Sequence, residues 1–343
     1  MSEHEPTLVE KVPFILWQAH LQSFFMGVLF FIAGYFAHGS LERRGGGRFL
    51  QERLIRLGLP TLFYMLAIHP FILLVLNPWK ATFPPATAFY ADFLRTGNFL
   101  GESGPLWFAL ALLIFCAVLV VVRAFPSDAS KRGRVADVFT PAPSGTQLVS
   151  FAVMLGVLSF VVRLVWPIGT NVLNLQFCFF AQYIAAFAVG ILAARRGWLL
   201  ALASSTRARR AGWIALIGGP IVLLTLMVTG GQEGHEPFTG GWRWQALGYA
   251  LWEQSVGVGL ALGLMAYLSR CLNRDTPRLR WLSERCFGVY VLHAPVLVAL
   301  MIAFRGLPQN PYGLIALLTL TGLVVSFIVA DLARRIPGLK SIL

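Results

Sequence analysis

Few side chains in this 343-residue chain can do chemistry, and most of those lie inside apolar stretches where a polar group is costly. His20 and His293 are the candidate proton-handling residues, because an imidazole exchanges its proton near neutral pH and suits general acid or base work. Each can equally be a histidine hydrogen-bonded to a neighbouring helix. Arg163 is also embedded in an apolar stretch and needs a counter-charge, and Glu253 is the one acid well inside another. An Arg163–Glu253 pair is therefore predicted, either ordering a bundle or binding a polar substrate. Trp107, Gln22, Gln182 and Arg243 fall at similar depths and would complete a polar cluster. His69 precedes Pro70 near one end of its stretch and reads as structural, and His4, His38 and His235 lie outside the stretches.

The elements that must position these groups follow from hydropathy. The chain is 57% hydrophobic and 13% charged, with mean hydropathy +0.70, more apolar surface than a soluble domain of this size can hide. Nine apolar segments run at roughly 14–37, 57–76, 105–123, 147–166, 177–194, 211–230, 242–268, 285–303 and 311–333. Each is near the roughly 20 residues a helix needs to cross a bilayer. The predicted fold class is all-α, a polytopic transmembrane helix bundle of nine spans forming a single membrane domain over 1–343. The connections, of which 77–104 and 124–146 are the longest, are too short for an independent domain.

Arginines fill alternate gaps: Arg43, Arg44, Arg48, Arg53 and Arg56, then Arg123 to Arg134, then Arg195 to Arg210, then Arg270 to Arg285, and finally Arg334, Arg335 and Lys340. The opposite gaps and the N-terminal segment hold only Lys11, Lys80, Arg95, Arg243 and Arg305. The positive-inside rule then puts the N-terminus outside and the C-terminus in the cytoplasm. The net charge of +13 tracks one membrane face, which suits anionic lipid heads and argues against nucleic acid as a partner.

Several features are expected to be inert. Cys116 and Cys178 lie in segments, and Cys271 and Cys286 border a cytoplasmic gap, so reduced thiols and no metal site are expected. Gly257, Gly259 and Gly263 lack the strand a dinucleotide loop needs, and Gly259 and Gly263 would instead let helices approach closely. Gly45, Gly46 and Gly47 read as a flexible turn. Arg48–Leu57 reads as a basic amphipathic helix on the membrane surface, with Phe49, Leu50, Leu54 and Leu57 on one face.

Ordered strings along the chain narrow the reading. SFFMGVLFFIAGYF leads into ERRGGGRFLQERLIRLGLP, followed by GPLWFALALLIF, QFCFFAQYIAAFAVGILAARRGWL, YALWEQSVGVGLALGL, RCFGVYVLHAPVLVAL and RRIPGLKSIL. In order and spacing these resemble the integral-membrane acyltransferase 3 family, which includes glucan- and exopolysaccharide-modifying acyltransferases. The resemblance runs from about Leu21 to the C-terminus. It implies transfer of an acyl group from acyl-CoA, a co-substrate and not a tightly bound cofactor, to a hydroxyl of an extracytoplasmic carbohydrate or related acceptor. It implies a bacterial inner-membrane location, with acyl-CoA, a glycan acceptor and membrane lipids as partners. Tyr290 and His293 resemble the family's Tyr-x-x-His, and Leu106-Trp107-Phe108 its Leu-Trp-Phe, so Trp107 and Tyr290 are expected to line a substrate site with Arg163 and Glu253. Arg48, Arg53 and Arg56 are offered to the CoA phosphates through charge-assisted hydrogen bonds, with lipid anchoring as the alternative.

The family pattern has ten helices, the first opening with an Arg and ending in the His proposed to activate the acceptor. Phe14–Ala37 resembles the second of these, so the chain as given is expected to lack the first, which leaves its activity alone open. His20 lies near the place of that missing base but on a different helix. The alternatives are a transporter or exporter of an anionic substrate and a non-catalytic membrane partner.

Overall fold

The computed structural model describes residues 8–76, 85–125, 142–231, 234–305, 307 and 311–342. Nine helices long and apolar enough to cross a membrane are present among the described residues, and no strand; Val172 and Leu175 make an isolated bridge. The polytopic all-α bundle expected from hydropathy is the architecture found. We number the helices α1 (Leu8–Arg44), α2 (Gly46–Leu76), α3 (Ala86–Arg95), α4 (Trp107–Ala124), α5 (Gly145–Val165), α6 (Phe180–Arg196), α7 (Trp198–Ser204), α8 (Thr206–Gly230), α9 (Trp244–Cys271), α10 (Pro277–Ala303) and α11 (Pro311–Arg334).

The helices outrun the apolar segments where capping residues allow it. Ser144 Oγ accepts from Gln147 N–H and Gln147 Oε1 accepts from Ser144 N–H, a reciprocal cap that starts α5. Thr276 accepts from Leu279 N–H with Pro277 at the first helical position, so α10 begins eight residues before the apolar segment at 285. Hydropathy misses this start because Arg278, Arg280 and Arg285 occupy the first turns.

The chain divides into two compact units. The first contains α1 and α5 to α9. Its helices approach closely at glycines. A Cβ at Gly34 of α1 would strike the carbonyl of Phe187 in α6, and one at Gly190 of α6 would strike the carbonyl of Phe31 in α1. The expected small-residue stripe on α9 works in the same way: Gly263 lies on Gly212 of α8, Gly259 on Ala215, and Gly257 on the main chain of Ser23 in α1.

The second unit contains α2, α3, α4, α10 and α11. Here the structure corrects two expectations. Gly45 alone turns the chain, at φ 75°, while Gly46 and Gly47 are already helical. The amphipathic stretch Arg48–Leu57 is not a separate helix but the start of α2, continuous to Leu76. Phe49 and Leu57 are buried within the protein, while Leu54 is 55% exposed. The reason is a π turn over Leu54–Gly58, which rotates the register so that one stripe cannot persist. Two more π turns follow, at Tyr64–Ile68 and Ile72–Leu76. Pro70 has no N–H to return to the carbonyl of Leu66, and the Tyr90 hydroxyl of α3 donates to that carbonyl instead.

Candidate functional site

The first unit holds a fully buried polar cluster. Arg163, near the end of α5, donates from Nη2 to Glu253 Oε2 of α9 at 2.5 Å, and both side chains are 0% exposed. The ion pair expected from the sequence is thus formed. Gln254, the next residue on α9, donates to the same carboxylate oxygen at 2.9 Å. Arg163 also lies 5.4 Å from the Phe179 ring and 5.7 Å from the Tyr249 ring, faces that favour a cation. Arg163 Nε and Nη1, Glu253 Oε1, Gln254 Oε1 and Ser159 Oγ have no hydrogen-bond partner among the described residues. These donors and acceptors sit around one charge pair, the kind of set a hydroxyl-rich molecule or ordered water satisfies.

A crevice of about 390 Å³ runs between α1, α5, α6 and α9 of this unit. Its walls are apolar, with Phe24, Phe31, Phe151 and Leu262 among them. Along α6 it extends from Gln182, whose Nε2 donates to Ser23 O at 2.6 Å, to Arg196 beside Trp198. Gln182 and Arg196 are fourteen helical steps apart, about 21 Å.

His20 lies elsewhere in the first unit. Its Nδ1 bonds Leu16 O at 2.6 Å, and its ring meets Trp252 edge-on at 5.1 Å. Since a carbonyl only accepts, Nδ1 carries a proton and Nε2 holds the lone pair in the neutral ring. That Nε2 is buried against Gly219, without a partner among the described residues.

In the second unit the two sequence motifs meet. The Tyr290 hydroxyl of α10 donates to Pro105 O at 2.5 Å, two residues before Trp107. Phe108 packs edge-on to the Tyr290 ring at 6.3 Å and beside Trp107 at 6.5 Å. His293 stacks on Tyr290 at 6.3 Å, and its Nδ1 bonds Tyr290 O at 2.8 Å. A carbonyl only accepts, so Nδ1 carries a hydrogen and Nε2 holds the lone pair of the neutral ring. The turn before Trp107 is held from several sides. Asn174 Nδ2 donates to Ser103 Oγ at 3.0 Å and to Gly104 O at 2.8 Å. Gly104 has φ 50°, and a Cβ there would enter the ring of Tyr64.

Arg48, Arg53 and Arg56 start α2. Arg48 and Arg56 are exposed; Arg48 pairs with Glu52 at 3.5 Å, and Arg53 lies over the Phe49 ring at 5.1 Å. The site residues read from sequence thus divide: His20, Arg163 and Glu253 belong to the first unit, and Arg48, Arg53, Arg56, Trp107, Tyr290 and His293 to the second.

Sequence reasoning passed over Gln254, Tyr249 and Glu102. Tyr249 follows from helical spacing, four residues before Glu253, and Gln254 is the next residue in the chain. Glu102 lies outside every apolar segment, where a hydropathy search does not look, yet its Oε2 is 3.3 Å from Nε2 of His69. Among the described residues no cluster of metal-ligating side chains occurs. A family model described as an acyltransferase domain, that of acyltransferase 3, matches residues 3–331. No curated protein and no solved structure matches the chain.

Proposed function

The chain belongs to the acyltransferase 3 family, and from that premise we propose that it moves an acyl group from acyl-CoA to a hydroxyl of an extracytoplasmic carbohydrate. The membrane in this reading is a bacterial inner membrane, with the N-terminus outside and the arginine-rich gaps in the cytoplasm. The observation that carries the proposal is the Trp107–Tyr290–His293 assembly: a histidine with one ring nitrogen tied to the main chain and the other left to exchange a proton. Acyl transfer from a thioester needs such a group, because the acceptor loses a proton and the thiolate gains one. His293 is assigned to the thiolate, with His20 the second candidate. Tyr290 and Trp107 wall the site. Arg163 and Glu253 are kept as a candidate hydroxyl-binding pair within the first unit. Arg48, Arg53 and Arg56 are offered to the CoA phosphates.

The test is transfer of radiolabel from acetyl-CoA to glucose oligosaccharides by the purified chain in lipid nanodiscs. His293→Ala is expected to lower the rate at least 100-fold. Full activity in both His293→Ala and His20→Ala removes the assigned proton carriers. Uptake of label into sealed vesicles without covalent product replaces the enzyme with a transporter.

A further inference from the structure

One chemically competent pair in the second unit is used by none of these assignments. His69 sits in α2 between two π turns, the kind of irregularity often found at working sites. Its ring is stacked on Phe93 of α3 at 6.2 Å with an 11° tilt, and Phe93 is itself buried. Helix α3 is fixed to α2 by the Tyr90 bond to Leu66 O, so this stacking platform is anchored one turn from His69. Nε2 of His69 lies 3.3 Å from Glu102 Oε2. Glu102 in turn adjoins Ser103 and Gly104, the turn held by Asn174 and pressed on Tyr64. Each partner is positioned by contacts that do not depend on the other.

Exposure separates this pair from the buried one in the first unit. The side chains of His69 and Glu102 are 18% and 46% exposed, so an incoming molecule can reach them. Nδ1 of His69 has no partner among the described residues. A carboxylate at one ring nitrogen with the other left open is the arrangement that orients an imidazole for proton transfer.

We propose that His69 is a catalytic residue that takes the proton of the acceptor hydroxyl at Nδ1, and that Glu102 is its positioning residue. The inference rests on the acyl-transfer reading. In the step, the hydroxyl proton passes to Nδ1 as the hydroxyl oxygen bonds to the thioester carbonyl carbon. The carbon–sulfur bond then breaks, and the departing thiolate is protonated at His293. His293 regains a proton from solvent as His69 releases one, so both imidazoles end as they began. The His69–Glu102 pair thus handles the acceptor and His293 the donor.

The experiment uses the full chain in nanodiscs with radiolabelled acetyl-CoA and glucose oligosaccharides. His69→Gln is expected to lower kcat about 100-fold or more, within the usual span for a general base, while KM for acetyl-CoA changes less than three-fold. Added imidazole is expected to restore activity to His69→Ala at least ten-fold, which repair of a purely structural defect would not give. Glu102→Gln is expected to lower kcat about ten-fold, with Glu102→Asp recovering part of it. If the unaltered chain transfers label and His69→Gln keeps more than a third of the rate, the pair is not catalytic and the acyl-transfer reading stands. Failure of imidazole to rescue a folded His69→Ala overturns the inference in the same way. If the unaltered chain transfers no label, both readings fall.

Discussion

The two units keep their polar groups in opposite ways. In the first, Arg163, Glu253 and Gln254 are wholly enclosed, and the helices around them touch main chain to main chain at glycines. In the second, His69, Glu102, Tyr290 and His293 are partly exposed and are held by main-chain carbonyls, ring faces and one tight turn. An enclosed ion pair has surrendered its hydration and depends on its partner, so its geometry is hard to alter singly. A half-exposed histidine held at one nitrogen keeps its second nitrogen for exchange. The contrast separates groups whose first effect is on folding from groups whose first effect is on rate.

That separation can be broken by substitution, and the largest effect is expected at the ion pair. Arg163→Met leaves Glu253 charged and without a counter-charge in an apolar interior, a change that costs about 3–5 kcal/mol. Thermal unfolding in detergent should show a large loss, and the double variant Arg163→Met, Glu253→Gln should recover much of it. If Arg163→Met is as stable as the parent, the pair does not order the first unit. Next in size is Gly190→Leu, where the new side chain meets the carbonyl of Phe31. Separation of α1 from α6 should cost about 1–3 kcal/mol or more, read by the same unfolding assay.

Smaller stability effects with larger rate effects are expected in the second unit. Gly104→Ala pushes a methyl into the Tyr64 ring and strains a backbone at φ 50°. Acyl transfer should fall more than ten-fold, because the turn carrying Glu102 and leading to Trp107 moves; unchanged kinetics would show that this turn does not set the site. Tyr290→Phe removes the hydroxyl bonded to Pro105 O, worth about 0.5–1.5 kcal/mol. Its kcat should drop several-fold with little change in unfolding temperature. The smallest effect on folding belongs to Arg48→Gln, which loses an exposed pair with Glu52 worth about 0.2–1 kcal/mol at most. A several-fold rise in KM for acetyl-CoA that salt abolishes would mark it as a phosphate contact, and no change in KM would leave it to lipid.

Much of this is legible in the amino-acid sequence, for identifiable reasons. Spans are readable because a bilayer demands length and apolarity together. Arg163 and Glu253 could be matched because no other acid lay well inside a span. Leu106-Trp107-Phe108 and Tyr290 were singled out by their resemblance to family motifs, although nothing in the sequence put them in contact. Glu102 was illegible because it lies in a connection, where carboxylates are common and usually solvated. The division into two units was also hidden. The second is assembled from α2 to α4 and then α10 and α11, with most of the first lying between them in the chain. The chain passes between the units at Arg44, Ala124 and Asn273, in polar gaps of the same kind as those that separate spans within one unit. The π turns of α2 escaped because a period of 3.6 was assumed throughout, and that assumption misplaced Leu54.

Those π turns have a consequence for comparing this chain with others. A π turn accommodates one residue more than the helix around it needs, which is what a single-residue insertion leaves behind when a helix absorbs it without unwinding. Helix α2 contains three. An alignment that treats it as a rigid rod, with gaps allowed only in loops, will slip by one position at each. His69 stands after two of them, so its counterpart in another chain is to be sought by the aromatic ring it stacks on and the carboxylate it faces, and not by counting from the start of the helix.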